Sequence, residues 1–158
     1  TCRELLLSAL SSPSWQGVST LLAVQDFAGW EVPEYHTVVC NFLCSYKAYL
    51  TPSLLFGHLS DLYSLTASSL CQSLQLSVMC ERIVYVLGLW VRDHPEDFFD
   101  AALLNSARRF VERALKKERA AHQREHERLQ NDAAGPSSIG SMLDVLLRSL
   151  DACSDQGP

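Results

Sequence analysis

The sequence predicts an all-α fold: a compact multi-helix domain with a long charged helix and a C-terminal amphipathic helix. Three observations carry that prediction. Apolar residues recur at steps of three and four through most of the chain. Prolines and capping residues punctuate those stretches at helical lengths. Neither a strand-like alternation nor an internal repeat occurs.

Thr1 and Glu4 have capping-box spacing, and Leu5, Leu6, Leu7 and Leu10 give a first short helix its apolar face. Ser11-Ser12-Pro13-Ser14 breaks it, and Val18, Leu21, Leu22 and Val24 resume the pattern until Gly29. From Pro33, suited to a first helical turn, Tyr35, Val38, Val39, Phe42, Leu43, Tyr46 and Tyr49 mark the clearest core helix. Thr51-Pro52 caps and opens the next, through Leu54, Leu55, Phe56, Leu59, Leu62 and Tyr63. So short a link predicts that these two helices pack antiparallel.

Ser68 or Ser69 is placed to start a further helix, which runs through Leu70, Leu74, Val78, Ile83, Val86, Leu87 and Trp90 to Asp93. Its middle is apolar nearly all round, which predicts a central, buried helix. Pro95 ends it, because a residue before proline is pushed out of the α region. His94-Pro95-Glu96-Asp97 is then a corner, with Phe98 and Phe99 folding back onto the core. The next helix starts near Ala101, with Leu103, Leu104, Ala107, Phe110, Val111 and Leu115 inward. Residues 116–130 hold Leu129 as their one sizeable aliphatic side chain, so the helix is expected to leave the core there. The reading therefore divides the chain into a helical domain over 1–115, a charged helical extension over 116–131, a linker over 132–138 containing Gly135-Pro136, an amphipathic helix over 139–152 and a tail over 153–158.

A length of 158 residues suits one domain. Hydrophobic residues at 47% and charged residues at 20% are ordinary globular composition. A net charge of -5 disfavours nucleic acid as a partner. No stretch is apolar for long enough to span a bilayer. The six cysteines form no CxxC pair and read as small buried hydrophobes in a reduced compartment, so a cytoplasmic location is expected.

Two stretches go beyond fold class. Residues 41–52, reading NFLCSYKAYLTP, resemble the phrase in Ras exchanger motif modules where a helix rich in Phe, Leu and Tyr runs through a basic residue and an aromatic into Thr-Pro. Leu87-Gly88-Leu89-Trp90 with His94-Pro95-Glu96-Asp97-Phe98 resembles that family's second signature. Phe42-Leu43-Cys44-Ser45-Tyr46 has some likeness to the Ral-directed exchange factors, a likeness that Ras- and Rap-directed members share. The resemblance covers residues 1–115 and implies the N-terminal helical module of a Ras-family guanine-nucleotide exchange factor. In that family the module is noncatalytic; it packs on an adjoining catalytic exchange domain and supports the hairpin that opens the GTPase. It implies no cofactor, and contact with a Ras-family GTPase only indirectly. Phe42, Leu43, Tyr46, Trp90 and Phe98 are the structural core residues of this reading, and all of them serve folding.

Other constellations carry less. His36, Cys40 and Cys44 lie four apart and offer an imidazole and two thiols to zinc, but a fourth ligand is missing and the same face carries the core pattern. His122 and His126 have Gln123 after the first His, so the HExxH metalloprotease arrangement is not met. Neither a nucleophile elbow nor a glycine-rich phosphate loop occurs, and catalytic, metal and cofactor-binding residues are all expected to be absent.

Residues 108–128 hold eight basic residues against four acidic ones, a local excess of four positive charges in a chain that is otherwise at -9. Arg108, Arg109, Arg113, Lys116 and Lys117 are candidates for binding an acidic partner, anionic lipid or the acidic body of the chain itself. The plain reading is a solvated helix face, with Glu112 and Lys116 as an i,i+4 pair. Leu143, Leu146 and Leu147 sit on the apolar stripe of the last helix, which either folds back or meets a partner. The rival function is accordingly a free-standing helical adaptor that uses residues 139–150 or the basic arm.

Overall fold

The computed structural model describes residues 33–68, 74–129 and 138–155. The expected helices at 1–10 and 18–24, together with Ser69, Leu70 and Gly135-Pro136, lie outside the described residues. Five α-helices and two 3-10 turns make up the rest, with no strand among the described residues: α1 (Pro33–Ser45), a 3-10 turn (Tyr46–Ala48), α2 (Pro52–Ser68), α3 (Leu74–Asp93), a 3-10 turn (Pro95–Phe99), α4 (Ala101–Leu129) and α5 (Ser138–Asp155). The chain is an all-α protein.

The helix starts follow from their caps. Thr51 Oγ1 accepts the backbone N–H of Leu54 at 3.3 Å, one of the donors that a first turn leaves unsatisfied. Asp100 does the same for α4, its carboxylate accepting from the N–H of Ala102 at 2.9 Å. At the other end of α3 the last turn closes by His94 N–H on Trp90 O at 2.9 Å, and Pro95 cannot continue the ladder.

α3 is the axis of the molecule. Residues 83–91 are buried without interruption, as a helix apolar on all sides requires, since α2 covers one side and α5 another. α4 lies along α5 and touches α2 through Phe110, whose ring meets Phe56 and Tyr63 edge to face, with centroids 5.9 and 5.1 Å apart. α5 is integral to the same core: Ile139, Met142, Leu143, Leu146, Leu150 and Cys153 are all buried.

Three expectations are corrected here. Tyr49 is 80% exposed, because the chain tightens from α to 3-10 geometry at Tyr46 and the three-to-four step no longer carries residue 49 to the inner face. Phe99 is 46% exposed while its neighbour Phe98 is fully buried, since the turn can aim only one of the two rings inward. Of the two starts offered for α3, Ser68 belongs to α2, and Ser69 lies outside the described residues. The antiparallel pairing of α1 with α2 is not among the principal packings of the described residues, where α1 contacts the following 3-10 turn and α3.

Candidate functional site

The most organised polar group among the described residues lies where the first 3-10 turn meets the proline corner. Tyr46, Trp90 and Phe98 are fully buried there, with Tyr46 and Trp90 ring centroids 5.5 Å apart and Trp90 and Phe98 5.0 Å apart, both edge to face. Buried tyrosine and tryptophan each carry a polar group that must find a partner. Both find the same one. Asp97 Oδ2 accepts the Trp90 indole N–H at 2.8 Å and also the Tyr46 hydroxyl. Lys47 completes the set, its Nζ 2.6 Å from Asp97 Oδ1 and 3.3 Å from Glu96 Oε1. His94 Nδ1 lies 3.3 Å from the same Glu96 oxygen.

Asp97 is the single buried charged residue among those described. Burial on its own raises a carboxyl's pKa, but the hydrogen bonds from Lys47, Tyr46 and Trp90 outweigh that and hold Asp97 below its ordinary range. Tyr46 moves the other way: burial, then its bond to the Asp97 carboxylate, push its hydroxyl up. The result is a carboxylate fixed in its charged form, with both oxygens engaged inside the fold. Such a group fixes a corner and has no free oxygen aimed at a substrate.

No family model, curated protein or solved structure matches the chain.

Of the residues singled out for the core, Leu43, Tyr46, Trp90 and Phe98 are buried, and Phe42 packs against the core from a half-buried position. Sequence reasoning missed Asp97 and Lys47. The available signal was the demand of the Tyr46 and Trp90 polar groups for an acceptor, which pointed to the acids after Pro95 without choosing between Glu96 and Asp97.

The candidates for partner binding separate into distinct groups. Arg108 pairs with Asp151 of α5, and Arg119 lies 3.0 Å from Asp144 of α5. Arg109, Arg113, Lys116 and Lys117 are exposed, and Lys117 donates to the carbonyl of Ala67 at 2.6 Å. Glu112 and Lys116 form no ion pair in the structure: both stand in solvent, where such a pair gains little. Leu143 and Leu146 are fully buried and Leu147 packs on the core, so the assignment of these three to an outside partner is corrected. Their stripe is satisfied within the chain by α3 and α4.

The thiols meet the expectation of burial in part, and Cys2 and Cys71 lie outside the described residues. Cys80 and Cys153 are buried, Cys40 is half-buried and Cys44 is exposed, so the helix face shared by Cys40 and Cys44 turns outward at its C-terminal end. Burial pushes the Cys80 thiol up to about 11, which keeps it protonated and unreactive at neutral pH. Cys40 Sγ lies 3.8 Å from Asp93 Oδ2, and burial followed by that carboxylate raises its pKa. Groups of three or more metal-ligating side chains do not occur among the described residues, and none of the described helices is long and apolar enough to cross a membrane. The side chains of His36 and His126 lie outside the described residues.

Proposed function

We propose that the chain is a noncatalytic structural and regulatory module of a cytoplasmic Ras-family guanine-nucleotide exchange factor. It would stiffen an adjoining catalytic exchange domain that is not among these 158 residues. One observation supports the reading. The two stretches that carry the resemblance are far apart in sequence, and they meet at one carboxylate: Tyr46 and Lys47 from the first, Trp90, Asp97 and Phe98 from the second. Residue types that look like scattered family signatures thus have one physical task, holding a rigid corner. Rigidity is what a module needs if it is to position a neighbour without touching the reacting atoms.

The test is nucleotide release from Ras-family GTPases. The chain alone is expected to leave the spontaneous rate unchanged. The full parent chain is expected to accelerate release, and to lose part of that acceleration when Asp97→Ala loosens the corner. Acceleration by the isolated chain, or a parent reading frame that encodes no exchange domain, would overturn the proposal. The adaptor alternative loses one of its two surfaces, because the apolar face of residues 139–150 is internal.

A further inference from the structure

Four basic residues of α4 divide between its two sides. On the side toward α5, Arg108 and Arg119 are matched by Asp151 and Asp144. On the side toward α2, Arg113 and Lys117, one helical turn apart, line a groove of about 390 Å³ between the two helices. Among the described residues neither of these two is in an ion pair: the Arg113 Nε donates to the carbonyl of Arg109 at 3.1 Å, and Lys117 to that of Ala67. Arg109 and Lys116 add two more exposed positive charges on α4. The floor is of another kind, formed by the Tyr63 and Phe110 rings in edge-to-face contact. Ser60 and Ser64 on the α2 wall supply hydroxyls. One acid, Asp61, also lines the groove from the α2 side.

We propose that this groove is a docking site for a short acidic segment of a partner protein, one that carries an aromatic or aliphatic side chain among its carboxylates. The carboxylates fit the α4 wall, where Arg113 offers a forked donor and Lys117 a point charge. The apolar side chain fits the aromatic floor, and the groove is of the size that takes a small ligand or a few side chains. Asp61 keeps acidic groups off the α2 wall and so sets the direction in which the segment lies. An extended polyanion is a worse fit, because outside 108–128 the chain is strongly acidic and repels it.

The experiment titrates the full chain into a short fluorescent peptide of glutamates around one central phenylalanine, and into the same peptide with lysine in place of glutamate. Vesicles containing phosphatidylserine form a separate arm. Saturable binding of the acidic peptide alone is expected, weakening as salt rises. Arg113→Glu is expected to weaken it by about tenfold or more, the scale of one lost charge-assisted contact. Asp61→Asn is expected to tighten it. Both positions are exposed, so the helical circular dichroism signal is expected to be unchanged in either variant. Equal binding of the two peptides, an Arg113→Glu variant that binds as the parent does, or vesicle binding without peptide binding would each overturn the proposal.

Discussion

The corner after α3 and the seam between α4 and α5 hold the same core by different means. At the corner, aromatic side chains with polar groups converge on the buried Asp97, and each partner fixes the geometry of the others. Along the seam, Leu143, Leu146 and Leu150 are buried by shape alone, and the ion pairs Arg108–Asp151 and Arg119–Asp144 stand at its partly exposed rim. An apolar stripe accepts other side chains of similar volume, whereas a buried polar network accepts almost none. Uniqueness of structure therefore comes mainly from the corner, and much of the adhesion from the seam.

That contrast is open to a graded set of substitutions. Trp90→Ala removes the largest fully buried side chain and leaves the Tyr46 hydroxyl sharing Asp97 with Lys47 alone. A loss of about 3–5 kcal/mol in urea-unfolding stability is expected, and an unchanged midpoint would break the core assignment. Leu143→Ala tests the seam. Truncating a fully buried leucine costs about 2–5 kcal/mol, while Leu143→Met, close in volume, should cost under about 1.5 kcal/mol. Equal costs for the two would show that α5 is not packed as described.

Tyr46→Phe is a smaller change in volume but removes a hydrogen bond to a charged acceptor, and about 1.5–3 kcal/mol is expected. Its effect should be non-additive with Asp97→Asn, since both act on one bond. The acid limb of stability tests the same site. The folded pKa of Asp97 lies below its ordinary value of 3.8, so its contribution is complete above that value and is lost as pH falls through the folded one. The stability difference between the parent chain and Asp97→Asn is expected to be flat near neutrality and to shrink on the acid side of 3.8. A difference that grows there would reverse the sign and rule out a carboxylate favoured by its donors.

The helices were largely legible in sequence because their signals are local. The apolar step of three to four, Thr51-Pro52, and Pro95 after Asp93 place α2, α3 and the corner close to where they lie. What escaped is non-local or depends on a change of helical pitch. Nothing in the spacing of Tyr49 announces the 3-10 turn that carries it outward, and nothing local separates Phe98 from Phe99. The Asp97 carboxylate that joins Tyr46, Lys47 and Trp90 is invisible to periodicity, because it needs three elements in place at once. The destination of α5 was undetermined for the same reason: its stripe demands a partner without saying which.

The smallest expected effect lies at the rim of the seam. Arg119 and Asp144 are 3.0 Å apart, but their side chains are 71% and 46% exposed, so solvent screens the pair and side-chain entropy opposes it. Arg119→Ala is expected to change unfolding stability by no more than about 1 kcal/mol, and that small change is expected to vanish at high salt. Arg108→Ala should cost slightly more, since Arg108 is only 36% exposed and its stem covers part of the seam. Should either substitution rival Leu143→Ala, the seam would be held by charge, and its difference from the corner would disappear. A salt-insensitive loss at Arg108 together with a salt-sensitive one at Arg119 would instead divide the rim into packing and ionic parts, because covering an apolar surface does not depend on screening whereas an exposed ion pair does.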